Sequence, residues 1–89
     1  MPKKEKKVVN GLKNDSQVIG TVAAISNADG PCVLIEDDAK MTWVTLGKGD
    51  LKLLLAGLGP DPLDGRRKVL IRSGERGDID VTVYAGKVV

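Results

Sequence analysis

The chain has no His and no Phe, one Cys, and only two aromatic residues, Trp43 and Tyr84. Without His it lacks the side chain whose ordinary pKa suits acid–base chemistry near neutral pH. A single Cys can form neither an intrachain disulfide nor a zinc site built from several Cys and His ligands. We therefore expect no enzyme activity, no metal site and no cofactor, and a core made of Val, Leu, Ile and Ala.

Long hydrophobic runs are also absent. The longest, Leu53-Leu54-Leu55-Ala56, is far shorter than the ~20 apolar residues that a membrane-spanning helix needs. The Lys-rich start is not followed by the apolar stretch of a secretory signal. From these features we expect a cytoplasmic protein with no membrane partner, while its oligomeric state is left undetermined.

The length of 89 residues and a hydrophobic content of 42% suit one small folded domain. Residues 1–13 hold five Lys and one Glu, so this segment is basic, whereas the remainder has a small excess of acidic groups. The charge pattern predicts a flexible basic arm over 1–13 and a single small β-barrel-like domain over 14–89. The apolar residues Val8, Val9 and Leu12 leave open an extra strand within the arm.

Alternating apolar residues and turn signals predict a mainly β (α+β) fold with five strands and one helix. Leu51, Leu54, Leu55 and Leu58 recur at helical spacing, which indicates a helix that packs on the core, with Asp50 as its N-terminal cap. Gly20 interrupts the first strand, where it indicates a bulge, a bend or a close backbone approach. The predicted strands cover 17–26, 31–36, 41–46, 67–73 and 79–85, and the helix covers 51–58.

This order of elements is similar to that of the five-stranded OB barrel, in which a helix connects the third and fourth strands. The resemblance covers about residues 17 to 85 and includes Val18-Ile19-Gly20-Thr21-Val22 followed by Val33-Leu34-Ile35-Glu36-Asp37. It implies an OB-like barrel that binds a nucleic acid or another ligand on its surface. The chain departs from such barrels in its few aromatic residues and in its basic residues, which gather late in the chain. An SH3-like barrel or an open sheet packed on one helix fits the same elements.

Basic residues and one aromatic residue form the candidate binding set. If Val69 and Ile71 point into the core, Lys68 and Arg72 point outward beside Asp80, Thr82 and Tyr84. Such a face could bind phosphates and stack a base on Tyr84, or it could be a solvated face with cross-strand ion pairs such as Arg72 with Asp80. The candidates are Lys3, Lys4, Lys6 and Lys7 in the arm, and Arg66, Arg67, Lys68, Arg72, Arg76 and Tyr84 in the domain.

Two functions follow from this set. The first is a small non-catalytic module that binds or modulates a larger protein machine through charged patches or an edge strand. The second is an OB-like nucleic-acid-binding protein that uses the lysine-rich arm and the basic C-terminal hairpin. The modest acidic excess of the domain and its few aromatic residues favour the protein partner.

Overall fold

The computed structural model describes residues 6–28, 30–63 and 67–84. Within these ranges the protein is mainly β with one helix, as the sequence predicts. The strands are β1 (Lys7–Asn10), β2 (Ser16–Ser26), β3 (Cys32–Glu36), β4 (Lys40–Thr45), β5 (Val69–Ser73) and β6 (Ile79–Val83), and the helix α1 (Lys48–Leu58) connects β4 to β5.

The six strands form an open mixed sheet in the order β1-β4-β3-β2-β5-β6. All neighbours are antiparallel except β1 and β4, which are parallel. A closed five-stranded barrel would require β6 to pair with β4, but β1 occupies that edge of β4. The expected closed OB-like barrel is therefore not what is observed, and the sheet corresponds to the alternative of an open sheet packed on one helix.

Strand β1 lies within the segment that was expected to be a flexible arm. Its residues Lys7 to Asn10 are in register with Lys40 to Trp43 of β4, and the Gly11 N–H donates to the Trp43 carbonyl at 2.8 Å. The extra strand that Val8 and Val9 left open thus forms. The reason is that β4 presents an unpaired edge, and β1 satisfies its backbone groups.

The long strand β2 belongs to both halves of the sheet. Its first half, Ser16–Gly20, pairs with β5, and its second half, from Thr21 onward, pairs with β3. Gly20 lies where the two pairings meet, and a Cβ atom there would stand 2.2 Å from the Glu36 carbonyl oxygen. Of the three alternatives predicted from Gly20, the close backbone approach is the one observed at this residue, and a bulge follows between Val22 and Ala24.

The core lies between the sheet and α1. Val22, Val33 and Ile35 fill one half of it, and Val18, Val69 and Ile71 fill the other. Leu54 and Leu58 of the helix are buried against them, and Leu51 packs beside these residues. Leu55, which the helical spacing assigned to the core, is exposed, so the buried stripe of α1 is narrower than predicted.

The start of α1 differs from the prediction. Gly47 is the N-cap residue, no side chain caps the helix, and Asp50 lies within its first turn. There the carboxylate still meets the positive end of the helix dipole, which explains the preference for Asp at this point. In the described part of the chain, no helix has the length and apolar character needed to cross a membrane.

Two glycine substitutions test this account of β2. Gly20→Ala should lower the free energy of unfolding by about 1–3 kcal/mol or more, because the new methyl group overlaps a backbone oxygen that cannot rotate away. Gly49→Ala is the matched control: its Cβ meets nothing within 4 Å, and the change should stabilise the helix by about 0.5–1 kcal/mol. Chemical denaturation of both variants measures the difference, and equal stabilities would contradict the close approach at Gly20.

Candidate binding face

The sheet has two faces, and α1 packs on one of them. Residues that alternate with the buried ones on β2, β5 and β6 lie on the opposite face, which we call the outer face. Gln17, Ile19 and Thr21 come from β2; Leu70 and Arg72 from β5, with Lys68 just before it; and Asp80 and Thr82 from β6, with Tyr84 just after it.

The outer face brings together three of the predicted site residues, Lys68, Arg72 and Tyr84. Tyr84 lies directly across from Lys68, and its backbone N–H donates to the Lys68 carbonyl at 2.9 Å. Arg72 is in register with Asp80, as expected. The structure describes both residues, and no ion pair joins their side chains. The outward orientation predicted for this hairpin is therefore correct.

Two apolar side chains that were not among the predicted site residues, Ile19 and Leu70, lie among these polar groups. Ile19 is 41% exposed and in register with Leu70, which lies diagonally from Tyr84. Tyr84 is also 41% exposed. Both faces of β2 are largely apolar in sequence, so alternation alone could not tell which one turns outward. In the structure Val18, Gly20 and Val22 are buried, so the face that carries Ile19 is the one that turns outward.

A polar cleft of about 440 Å³ opens where β2 and β6 begin and β5 ends. Asp15, Asp78 and Asp80 line it together with Arg72. The lining thus carries three carboxylates and one guanidinium, so its net charge is negative although Arg72 was predicted to belong to a basic surface. Asp15 and Asp78 enter this site from the turns before β2 and β6.

A second cleft of about 260 Å³ lies at the other end of the outer face. Lys6 and Lys68 line it with Glu36, Asp37 and Asp38. The Lys6 ammonium donates to the Glu36 carboxylate at 2.9 Å and to the Asp37 carbonyl at 2.7 Å, so its charge is already partnered within the fold. Acidic groups again outnumber the basic ones.

The other predicted residues are dispersed. Arg67 donates to the Gly57 carbonyl near the end of α1, Arg76 lies in the turn between β5 and β6, and Lys7 begins β1. All three are exposed. Lys3, Lys4 and Arg66 lie outside the described residues. Among the residues that the structure describes, the predicted basic side chains therefore do not form one continuous track.

Comparison with known proteins gives no relative to compare these clefts with. No family model, no curated protein and no solved structure matches the chain. Over the described residues, no group of three or more His, Cys, Asp or Glu side chains is arranged to hold a metal ion. What the site can do must be inferred from its own residues.

Asp37 is the carboxylate with the clearest structural role in these clefts. It accepts hydrogen bonds from the Lys40 N–H at 2.8 Å and the Ala39 N–H at 2.7 Å, which fixes the turn between β3 and β4. Backbone hydrogen bonds, from Lys40 first and Ala39 second, hold the pKa of Asp37 below its ordinary value of 3.8. Both bonds favour the ionised form, since a carboxylate is the stronger acceptor.

The pH dependence of stability tests this turn. Because the pKa of Asp37 is lower in the folded state than in the unfolded state, its ionised carboxylate stabilises the fold. This stabilisation is fully present at a pH above the ordinary pKa and is lost as the pH falls through the pKa of the folded state. Wild type should therefore lose more stability than Asp37→Asn when the pH is lowered from about 5 to about 3. Asp38→Asn is the control, since Asp38 accepts neither bond. Thermal melts across this range give the comparison, and parallel curves for wild type and Asp37→Asn would contradict it.

Proposed function

We propose that this protein is a small non-catalytic module that binds a larger protein through its outer face. The observation that carries the proposal is that α1 packs on one side of the sheet and leaves Ile19 and Tyr84 exposed on the other. Around them lie charged groups of both signs, including Lys68, Arg72 and Asp80. An apolar centre with a polar rim is the usual anatomy of a protein–protein interface.

The charge distribution supports a protein over a polyanion. A nucleic-acid backbone needs unopposed cations that release its counterions. Here the ammonium of Lys6 is partnered by Glu36, and Arg72 lines a cleft with three Asp. Phosphates that approached Arg72 would be repelled by these carboxylates in the same cleft. A protein surface can carry both signs and complement such an arrangement residue by residue, which sets specificity and encounter rate.

The proposal can be tested by photo-crosslinking in living cells of the organism from which the protein comes. A photoreactive amino acid at Ile19 should link the module to one defined partner protein, and the matched position Leu63, exposed in the loop after α1, should not. Co-expression of the wild-type protein without the photoreactive residue should remove the crosslinked product, whereas co-expression of an Arg72→Glu/Tyr84→Ala competitor should not. No product at Ile19, or the same products at both positions, would contradict the outer face as the binding surface.

One specific observation favours the hypothesis that the protein binds nucleic acid. Tyr84 and Lys68 are direct neighbours across two strands, which places an exposed ring next to a cation. That pair suits one stacked base and its phosphate.

Oligonucleotide titrations distinguish the nucleic-acid hypothesis from the protein-partner hypothesis. Labelled single-stranded and duplex oligonucleotides are titrated at low and at physiological salt. If nucleic acid is the ligand, Tyr84→Ala should weaken binding by about 1–3 kcal/mol with little change in salt dependence. Binding that is absent even at low salt would exclude this function and leave the protein partner.

A further inference from the structure

The two edges of the sheet differ in how they are protected. β1 starts with Lys7, which lies in register with Lys40 of β4, and charged side chains of this kind discourage further strand pairing. β6 reads Ile-Asp-Val-Thr-Val: four of its five residues are strong strand formers, Asp80 is its one charged residue, and it has no Lys, Pro or bulge. Among the described residues, none pairs with its outer edge.

The hydrogen bonds of the hairpin show which backbone groups face that edge. Gly74 donates to the Asp78 carbonyl at 2.8 Å, and Tyr84 donates to the Lys68 carbonyl at 2.9 Å. Bonded pairs alternate along an antiparallel ladder, so the even-numbered residues of β6 bond to β5. The N–H and C=O groups of Ile79, Val81 and Val83 therefore point away from β5, toward the open edge.

We propose that this edge binds a second copy of the chain, with the two β6 strands antiparallel about a twofold axis at Val81. In this register Val81 faces Val81 of the other copy, and Ile79 faces Val83. Every outward backbone group of the strand is then paired, since the three residue pairs are all of the hydrogen-bonded kind. An isologous contact of this type closes after two copies and does not propagate.

Side-chain chemistry favours the same register. Asp80 lies opposite Thr82 of the other copy, and Asp78 lies opposite Tyr84, so each carboxylate meets a hydroxyl group. Shifting the axis to Asp80 would place two Asp80 carboxylates directly opposite one another, which is destabilising. Shifting it to Thr82 would leave Ile79 without a partner inside the described strand. The register at Val81 is the one that pairs all three outward residues without opposing like charges.

An exposed leucine adds apolar surface on the helix side. Gly57 of α1 packs so closely on Val83 that a Cβ atom there would stand 2.8 Å from the valine side chain. Leu53 lies one turn earlier on the same face of the helix and is 66% exposed. The flank of α1 that faces β6 thus carries an uncovered apolar side chain, and a second copy at the β6 edge would shield it from water.

Substitutions at Thr82 test the register, because opposite charges there have opposite effects. The Thr82 side chain is exposed. In the dimer, Thr82 of each copy faces Asp80 of the other copy, so the interface contains this pair twice. Thr82→Lys should tighten dimerisation and Thr82→Asp should weaken it, each by roughly threefold to tenfold. Adding Asp80→Asn to Thr82→Asp should restore most of the loss. Thr45→Lys and Thr45→Asp, at an exposed position on β4, are the matched controls and should leave the dimer unchanged.

Sedimentation velocity of the full chain over a range of micromolar to millimolar concentrations measures the dissociation constants, and circular dichroism verifies that each variant is folded. A concentration-dependent dimer with opposite shifts for the two Thr82 variants supports the proposal. A protein that stays monomeric throughout, or a dimer whose affinity is the same for both Thr82 variants, overturns it. The outer-face function would survive either of these results, because its crosslinks at Ile19 are measured independently.

Discussion

The fold depends on the contact between Gly20 of β2 and the backbone of Glu36. At this point β2 leaves its pairing with β5 and begins its pairing with β3, so one strand holds the two halves of the sheet together. The approach is so close that a methyl group would stand 2.2 Å from the Glu36 oxygen, which restricts the position to glycine. The bulge at Val22/Ala24 then restores the inward direction of the next apolar side chain, Ile25.

The packing of the rest of the molecule depends on this change of pairing partner along β2. Both halves of the sheet can place their apolar faces against the same short helix, so that Leu54 and Leu58 contact a continuous core. A helix of 11 residues is marginal by itself in water and gains its stability from this packing. The outer face cannot be covered in the same way, because α1 is the helix available within the described residues. Its Ile19 and Tyr84 therefore remain accessible.

Local patterns in the sequence were sufficient for most of the elements. The alternation of Ile79, Val81 and Val83 with Asp80 and Thr82 predicted both the strand β6 and its buried side. Gly20 predicted a bulge, a bend or a close approach, of which the close approach is observed, and the leucine spacing predicted α1. These features are decided within a few residues, where periodicity and backbone freedom act directly.

Long-range pairing was not accessible in the same way. Strand β1 has only four residues and follows a run of Lys, and its pairing with β4 depends on an edge contributed by residues more than 30 positions later. For the same reason the surroundings of Arg72 were predicted only in part: pairing within the hairpin placed Asp80 beside it, but Asp15 reaches its cleft from the turn before β2, far away in the chain. Charge counted along a sequence does not predict the charge of a surface when the strands that meet there are distant in the chain.

The proposed dimer and the proposed binding face are compatible because they use perpendicular directions of the same sheet. Pairing at the β6 edge consumes backbone groups that lie in the plane of the sheet, whereas the outer face presents side chains normal to it. Two outer faces would then lie side by side across the twofold axis, with their Tyr84 residues near the junction. A partner with two matching sites would bind such a pair more tightly than one face alone, since its second contact forms at high effective concentration. Self-association would in this way strengthen partner binding without any additional contact within a single copy.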